Sequence, residues 1–229
     1  MVQKTDKTEE KLHVVEETLS KTEHFIENNQ KLLINIGIAI VAIVLGFYAL
    51  RNYYIIPREE DATAQMFMAQ KYFDQDSIKK ALNGDGNYPG FVQIIDDYKW
   101  TKAANLSHYY AGICYLKQGK FQDAIDQLKS FSGKDELVAP MAKGAIGDAY
   151  MELGQTDKAV SEYEAAANLR DNKFTTTVFL QKAAFAYEEL KNYDKALELY
   201  NQIKTKYPNS MEASEVDKYI AKIKTLQNK

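Results

Sequence analysis

The sequence predicts an all-α protein in which one amino-terminal transmembrane helix precedes a right-handed α-solenoid, a stack of helical hairpins. First, residues 32–50 form an apolar run without a charged residue. Second, the period-two alternation typical of β-strands is rare, and the chain has only 4 prolines. Third, a spacing of small and aromatic residues recurs three times, with periods of 35 and 37 residues.

The residues before the apolar run, 1–31, form an amino-terminal tail with 5 lysines against 7 acidic residues. A helix from about Thr8 to Asn28 is predicted, because residues at three- and four-residue steps form one stripe. The stripe consists of Leu12, Val15, Leu19, Thr22 and Ile26. It predicts an amphipathic helix that either binds a protein partner or serves as a helical stem before the apolar run. The acidic balance argues against an anionic lipid surface.

The apolar run predicts a membrane span, and residues 32–56 are assigned to an uncleaved signal anchor. Nineteen helical residues span roughly 28 Å, close to the ~30 Å hydrocarbon core of a bilayer. A buried core helix is the alternative, although such helices usually keep a polar stripe. A cleaved signal peptide is disfavoured because the tail is not positive and no small-x-small site follows. Lysine and arginine flank both ends almost equally, so charge does not decide the orientation.

Residues 57–104 are predicted to form a degenerate helical hairpin with a long loop. Asp61–Leu82 has the apolar spacing of one helix, and a second helix begins at Phe91. The segment between them is polar and rich in glycine, which is typical of a loop. This pair is expected to precede the repeats as a partial unit.

Three segments between residues 105 and 210 share one pattern. A small residue precedes a tyrosine by three positions, an alanine follows nine residues after the tyrosine, and a large apolar residue follows four later. The three sets are Gly112, Tyr115, Ala124 and Leu128; Gly147, Tyr150, Ala159 and Tyr163; and Ala184, Tyr187, Ala196 and Tyr200. Each set predicts a helical hairpin in which the small residue lets two helices approach while the tyrosine of the first helix fills the gap. Residues 211–229 are predicted to form a capping helix with a polar outer face.

This pattern resembles the tetratricopeptide repeat, although the tryptophan of the idealised pattern is missing from all three units. The resemblance covers Asn105 to about Ser210 and implies a solenoid whose first helices line a concave groove for extended or helical peptides. The predicted groove positions are Leu106, Tyr109, Ile113, Leu116, Met141, Gly144, Asp148, Met151, Val178, Gln181, Phe185 and Glu188. For each of them, core packing against the next repeat stays open as the alternative.

No catalytic residue, metal site or cofactor is predicted, so the chain is not expected to be an enzyme. The three histidines, His13, His24 and His108, do not have the spacing of a metal site. Cys114 is the single cysteine and has no ligand companions, so a buried thiol is expected. The loop at Asp85 faintly resembles a calcium loop, but a proline stands at one ligand position, and a plain turn is predicted. Without a basic cluster, nucleic acid is not an expected partner.

The order of one signal anchor, a helical stem and a repeat domain of this length resembles the YfgM-like family. The runs 81–88 and 105–112 are similar to its Bacteroidetes type. The resemblance implies a single-pass protein of the bacterial inner membrane with a cytoplasmic amino terminus and a periplasmic repeat domain. It implies an ancillary subunit of the SecYEG translocon. The partners implied are SecYEG, a PpiD-type periplasmic chaperone, emerging polypeptides and the lipid bilayer.

Two other functions fit the same pattern. One is a scaffold of the cell envelope for division or outer-membrane assembly machinery, although such proteins are usually soluble or lipoproteins, and no lipobox cysteine is present. The other is a repeat receptor that faces the cytosol and resembles mitochondrial import receptors. The side of the membrane on which residues 57–229 lie would separate this receptor from the other two functions.

Overall fold

The computed structural model describes the backbone of residues 3–227 and the side chains of residues 25, 26 and 28–227. The chain divides into an amino-terminal unit, Met1–Pro57, and a carboxy-terminal domain, Arg58–Lys229. Every regular element in residues 3–227 is helical, which confirms the predicted all-α class. Most of the amphipathic stripe predicted for the tail lies outside the described side chains, so its role stays a prediction.

The amino-terminal unit contains helix α1 (Gln3–Leu50) and a π-helical turn, Arg51–Ile55. Tail and apolar run therefore belong to one continuous helix. Every side chain from Leu32 to Leu50 is exposed, which favours the predicted span over the core-helix alternative. Within the described residues, the helical segment Asn28–Asp74 alone is long and apolar enough to cross a membrane.

The carboxy-terminal domain begins with three helices before the first repeat. Helix α2 (Ile56–Asp74) is followed by α3 (Ile78–Asn83) and α4 (Phe91–Asp97). The single helix predicted over 61–82 is therefore wrong, because it breaks at Asp76, which has a left-handed φ of 54°. Aspartate tolerates this conformation better than most residues.

The Asp76 carboxylate also accepts a bond of 2.7 Å from the Lys117 ammonium, so a tertiary contact holds the break. In the loop before α4, the Asp85 carboxylate accepts the backbone N–H groups of Asn87 and Tyr88 at 2.9 Å each. These bonds form a closed turn at the place where the sequence predicts one.

The three predicted hairpins are present as successive helix pairs. They are α5 (Lys102–Lys117) with α6 (Phe121–Ser130), α7 (Val138–Glu152) with α8 (Thr156–Leu169), and α9 (Thr175–Glu189) with α10 (Tyr193–Lys206). The small residue does bring the helices of a pair together, since a Cβ on Gly147 would lie 2.6 Å from a ring atom of Tyr163. The side chain that lies against Gly147 is thus Tyr163 of the second helix, whereas the sequence pattern assigned this place to Tyr150 of the first helix.

A short 3₁₀ turn, Glu212–Ser214, leads into helix α11 (Val216–Gln227), which closes the stack. Val216 and Ile223 of α11 are fully buried in the main hydrophobic core, which runs through the three repeats. A second core cluster joins α2, α3 and α4 to α5, with Phe91 and Ile94 fully buried. The stack of repeats therefore packs against α2, α3 and α4 at its first helix and against α11 at its last hairpin.

Candidate peptide-binding groove

A cavity of about 600 Å³ lies between the first helices of the three repeats. Six predicted groove residues line it: Tyr109, Ile113, Leu116, Met141, Asp148 and Val178. The register of the repeats therefore brings residues more than 60 positions apart to one surface. Whether a peptide binds there stays a prediction.

The structure places the other predicted groove residues elsewhere. Leu106 packs against the second core cluster, Met151 packs against the main core, and Gln181 is partly buried outside the cavity lining. Gly144 is covered by Phe179, because a Cβ on this glycine would lie 1.8 Å from a ring carbon of Phe179. These positions face neighbouring helices because the first helices contact one another as well as their partners.

Helix α11 contacts the last two predicted positions, Phe185 and Glu188. The Phe185 ring meets Tyr219 edge-on at 4.9 Å between centroids. The Glu188 carboxylate accepts the Tyr200 hydroxyl and the Lys222 ammonium, each at 2.7 Å. The capping helix therefore takes the place on α9 that the register had assigned to a ligand.

Sequence reasoning missed several residues of the cavity, which are Leu137, Ala145, Phe174, Thr175, Phe179 and Lys182. Leu137 and Phe174 stand directly before α7 and α9, and their spacing of one repeat period could have revealed them. Both are large and exposed, at 48% for Leu137 and 66% for Phe174. Met141, exposed at 45%, stands beside them in the lining.

Leu137 and Phe174 lie at the mouth of the cavity, and a side-chain cap fixes the position of each. The Asp135 carboxylate accepts the N–H groups of Leu137 at 3.0 Å and Val138 at 2.5 Å at the start of α7. One repeat later, the Asn172 side chain accepts the N–H of Phe174 at 2.9 Å. Such caps satisfy the free N–H groups of a helix start. Partial burial raises the pKa of Asp135, but its bonds to backbone N–H groups outweigh this effect and hold the pKa below its usual range.

The cavity wall contains one charged pair. The Lys182 ammonium lies 2.7 and 2.8 Å from the two carboxylate oxygens of Asp148, and the Tyr163 hydroxyl donates to the same carboxylate at 2.6 Å. Burial, together with this bond, raises the pKa of Tyr163 well above its ordinary value, so the hydroxyl remains a donor. Asp148 thus accepts bonds from two donors. The Lys182–Asp148 ion pair is the charged part of a lining that is mostly apolar.

The lining is suited to binding a ligand by contact. In the part of the chain with described side chains, no group of three or more histidine, cysteine or acidic residues could hold a metal ion. Cys114 is fully buried, and burial raises the pKa of its thiol to about 12. His108 packs on α6, with Nδ1 at 2.8 Å from the Gln127 side-chain oxygen. The apolar walls can accept apolar side chains, and Lys182 can interact with a backbone carbonyl.

The repeat region matches known families and proteins. Residues 109–173 and residues 180–210 each match a tetratricopeptide repeat model. Over 117 residues the chain is 30% identical to "Tetratricopeptide repeat protein 8" of Caenorhabditis elegans, with 49% of this chain and 22% of that protein covered. The chain thus spans about a fifth of that relative. It is 28% identical over 156 residues to "Uncharacterized protein ycf37" of Pyropia yezoensis, with 68% and 79% covered.

Solved structures share the fold. A Podosopora anserina kinesin light chain protein with nearly identical TPR-like repeats superimposes with a TM-score of 0.57 at 16% identity, covering 74% of this chain and 88% of that chain. The MamA protein superimposes with a TM-score of 0.55 at 18% identity, covering 74% and 85%. At these identities the likeness concerns the fold alone. The matches at residues 109–173 and 180–210 support a tetratricopeptide-like repeat for the helix pairs of the structure.

Proposed function

We propose that this chain is a non-catalytic, membrane-anchored adaptor whose repeat cavity binds apolar segments of polypeptides that emerge from the SecYEG translocon. The cavity carries the proposal. Its volume of about 600 Å³ lies within the range of roughly 300–1,000 Å³ for ligand pockets. At its mouth, Leu137, Met141 and Phe174 expose apolar surface to water. Covering that surface with apolar side chains of a ligand is favourable.

The chemistry of the lining favours a segment of varied sequence. Methionine and leucine side chains adapt to different shapes, which suits a surface that binds many apolar sequences. Lys182 has three N–H groups, and its two bonds to Asp148 use two of them. The ligand is therefore an extended or helical apolar segment of a polypeptide.

The anchor and the location come from other observations. The exposed apolar helix has the length and composition of a membrane span. The resemblance to the YfgM-like family suggests the inner membrane, a periplasmic repeat domain and partnership with SecYEG and a PpiD-type chaperone. In this proposal the span holds the cavity close to the channel from which clients emerge.

Photocrosslinking during translocation tests the proposal. A photoreactive amino acid replaces Tyr109 or Met141 in the full-length chain, and a radiolabelled secretory polypeptide is halted while it crosses the membrane. We expect adducts of these two positions with the halted polypeptide, and none after its release. Phe185 is not used, because its ring packs against Tyr219 of α11.

Matched controls carry the same group at Gln122 or Ser161, which are exposed on the second helices α6 and α8. Equal adducts from both sets of positions would contradict a specific cavity. A separate arm purifies the full chain in mild detergent. If the adducts form but no SecYEG subunit is recovered under conditions that preserve the channel, the cavity function stands and the translocon assignment is wrong.

A further inference from the structure

Trp100 is the single tryptophan of the chain, and its side chain is 96% exposed. It lies between α4 and α5 with a left-handed φ of 70°, which is uncommon for a bulky residue. Tryptophan is enriched at interfaces where its apolar ring is covered and its N–H group stays in a polar environment. Lys99 and Lys102 stand on either side of it, and both are exposed.

The segment around Trp100 is fixed to the first turn of the carboxy-terminal domain. The Glu59 carboxylate accepts the N–H groups of Lys102 at 2.6 Å and Ala103 at 3.1 Å. The Tyr98 hydroxyl donates to Asp61 at 2.7 Å. The Arg58 guanidinium donates to the Asp97 carbonyl and lies 5.5 Å from the centre of the Tyr98 ring. The indole is therefore presented on a rigid base.

The residues that hold the Trp100 segment lie close in the chain to the predicted membrane span. Residues 58–61 follow directly after the predicted span, which ends at residue 56 with Tyr53 and Tyr54 near its end. A few residues bridge at most about 3.6 Å each, so the first turn of the domain cannot lie far from the end of the span. The segment bonded to that turn is consequently connected to the predicted span through only a few residues of the chain.

The chemistry of the indole suits a lipid surface. Tryptophan favours the interface between water and lipid because its ring is apolar and its N–H is polar. The two lysines beside the ring are attracted to lipid phosphates, but Glu59, Asp61 and Asp97 of the same segment oppose this attraction at an anionic surface, so the indole carries the inference. We infer that Trp100 inserts into the bilayer interface beside the span of its own chain and fixes the repeat domain at the membrane surface. This inference rests on the membrane anchoring in the proposed function.

Because Trp100 is the single tryptophan, its fluorescence reports the contact without labelling. The full-length chain is reconstituted into vesicles of phosphatidylcholine and phosphatidylglycerol, and flotation shows whether it is membrane-bound. Its emission is then compared in ordinary vesicles and in vesicles whose acyl chains are brominated near the headgroup. In ordinary vesicles we expect an emission that is blue-shifted relative to an indole in water. In brominated vesicles we expect the intensity to fall by about half, as for an interfacial indole.

A double variant, Trp100→Phe with Met211→Trp, is the matched control. Met211 is also highly exposed, at 84%, but precedes α11 at the other end of the repeats. The emission of the tryptophan at position 211 in this variant should not change with brominated lipid. Quenching of both proteins would overturn the inference, because the whole domain would then lie along the lipid.

The remaining outcomes separate the two proposals. A chain that floats with the vesicles while Trp100 shows no quenching overturns the interfacial contact and leaves the anchor standing. A chain that does not float overturns both the anchor and this inference.

Discussion

Gly147 of α7 lies against the ring of Tyr163 of α8, so closely that a Cβ on the glycine would come within 2.6 Å of the ring atom Cε1. The first repeat has the same relationship, with 2.5 Å from a Cβ on Gly112 to Cγ of Leu128. In these two hairpins the distance between the helices is therefore set by the absence of a side chain, and the third hairpin has the smallest side chain, Ala184, at the same position. This requirement explains the recurring small residue in the sequence pattern.

Replacing Gly147 with alanine should destabilise the protein. Tyr163 is buried on a packed helix and cannot move aside freely. Overpacking of this kind costs about 1–3 kcal/mol, which should exceed the gain of up to about 1 kcal/mol from the better helix propensity of alanine. Urea unfolding measures the change, with the exposed Ser161→Ala on α8 as control. A more stable Gly147→Ala protein would show that the helices can separate at no cost.

Replacing Lys222 with methionine should weaken the attachment of α11. Its ammonium lies 2.7 Å from Glu188, whose side chain is only 9% exposed. The variant keeps the apolar stem but leaves the carboxylate with the Tyr200 hydroxyl as its remaining described donor. Because Lys222 itself is more than half exposed, solvent screening limits the expected loss to about 1 kcal/mol in urea unfolding.

The control for Lys222 is Lys218→Met on the same helix. Lys218 pairs with Glu215 at 3.0 Å, but both side chains are more than half exposed. This variant should unfold at the same urea concentration as the parent protein. Equal losses from the two variants would mean that helix charge, rather than the nearly buried Glu188, determines the effect.

Replacing Asp135 with alanine should remove the cap of α7 and cost about 1 kcal/mol at neutral pH. Bonds from backbone N–H groups stabilise the ionised carboxylate and lower its pKa in the folded state. The stabilisation is therefore present above the unfolded pKa of about 3.9 and disappears as pH falls through the folded pKa. Urea unfolding of parent and variant between neutral pH and pH ~3 should show the two stabilities converging in acid.

Asp135→Asn is the matched control for that measurement. Asparagine caps a helix start about as well as aspartate but does not titrate. Its stability should stay near that of the parent at neutral pH. Its free energy of unfolding should exceed that of Asp135→Ala at acidic as well as neutral pH. A stability difference between Asp135→Ala and the parent that does not change with pH would contradict the role of the carboxylate.

The repeats could be predicted because their requirement is local and recurs. A small residue on one helix and a large residue sixteen positions later follow from close helix packing, and the pattern shows both. The pattern does not show which large residue meets the small one. Tyr150 and Tyr163 are both near Gly147 in sequence, and only the structure identifies Tyr163 as its contact.

Other features depend on contacts between distant residues. The break at Asp76 is held by Lys117, 41 positions away, and the helical period does not encode such a bond. Helix α11 contacts Phe185. A capping helix and a peptide ligand would use the same face of α9. Register alone cannot distinguish those two occupants. Of the cavity residues missed, Phe174 stands outside a helix, where the helical pattern gives no information.

The thiol of Cys114 provides a measure of the stability of the first repeat. It is fully buried on α5, and burial raises its pKa to about 12. An unfolded cysteine ionises near pH 8.5, so between that pH and about 12 the folded state binds more protons than the unfolded state. The contribution of this group to stability is therefore complete below pH ~8.5 and declines as pH rises through this window.

Cys114 should accordingly resist alkylation in the native protein. Thiolates are the reactive species, so at pH ~8 native Cys114 should react with iodoacetamide at least ~100-fold more slowly than the urea-unfolded chain. The matched control is Cys114→Ala with Ser161→Cys, which places a single thiol at an exposed position of α8. Its rate should level off above pH ~9, whereas the Cys114 rate should continue to rise. Equal rates for the two proteins at pH ~8 would mean that α5 opens readily, and that the second core cluster does not hold this helix, which forms one wall of the cavity, rigidly in place.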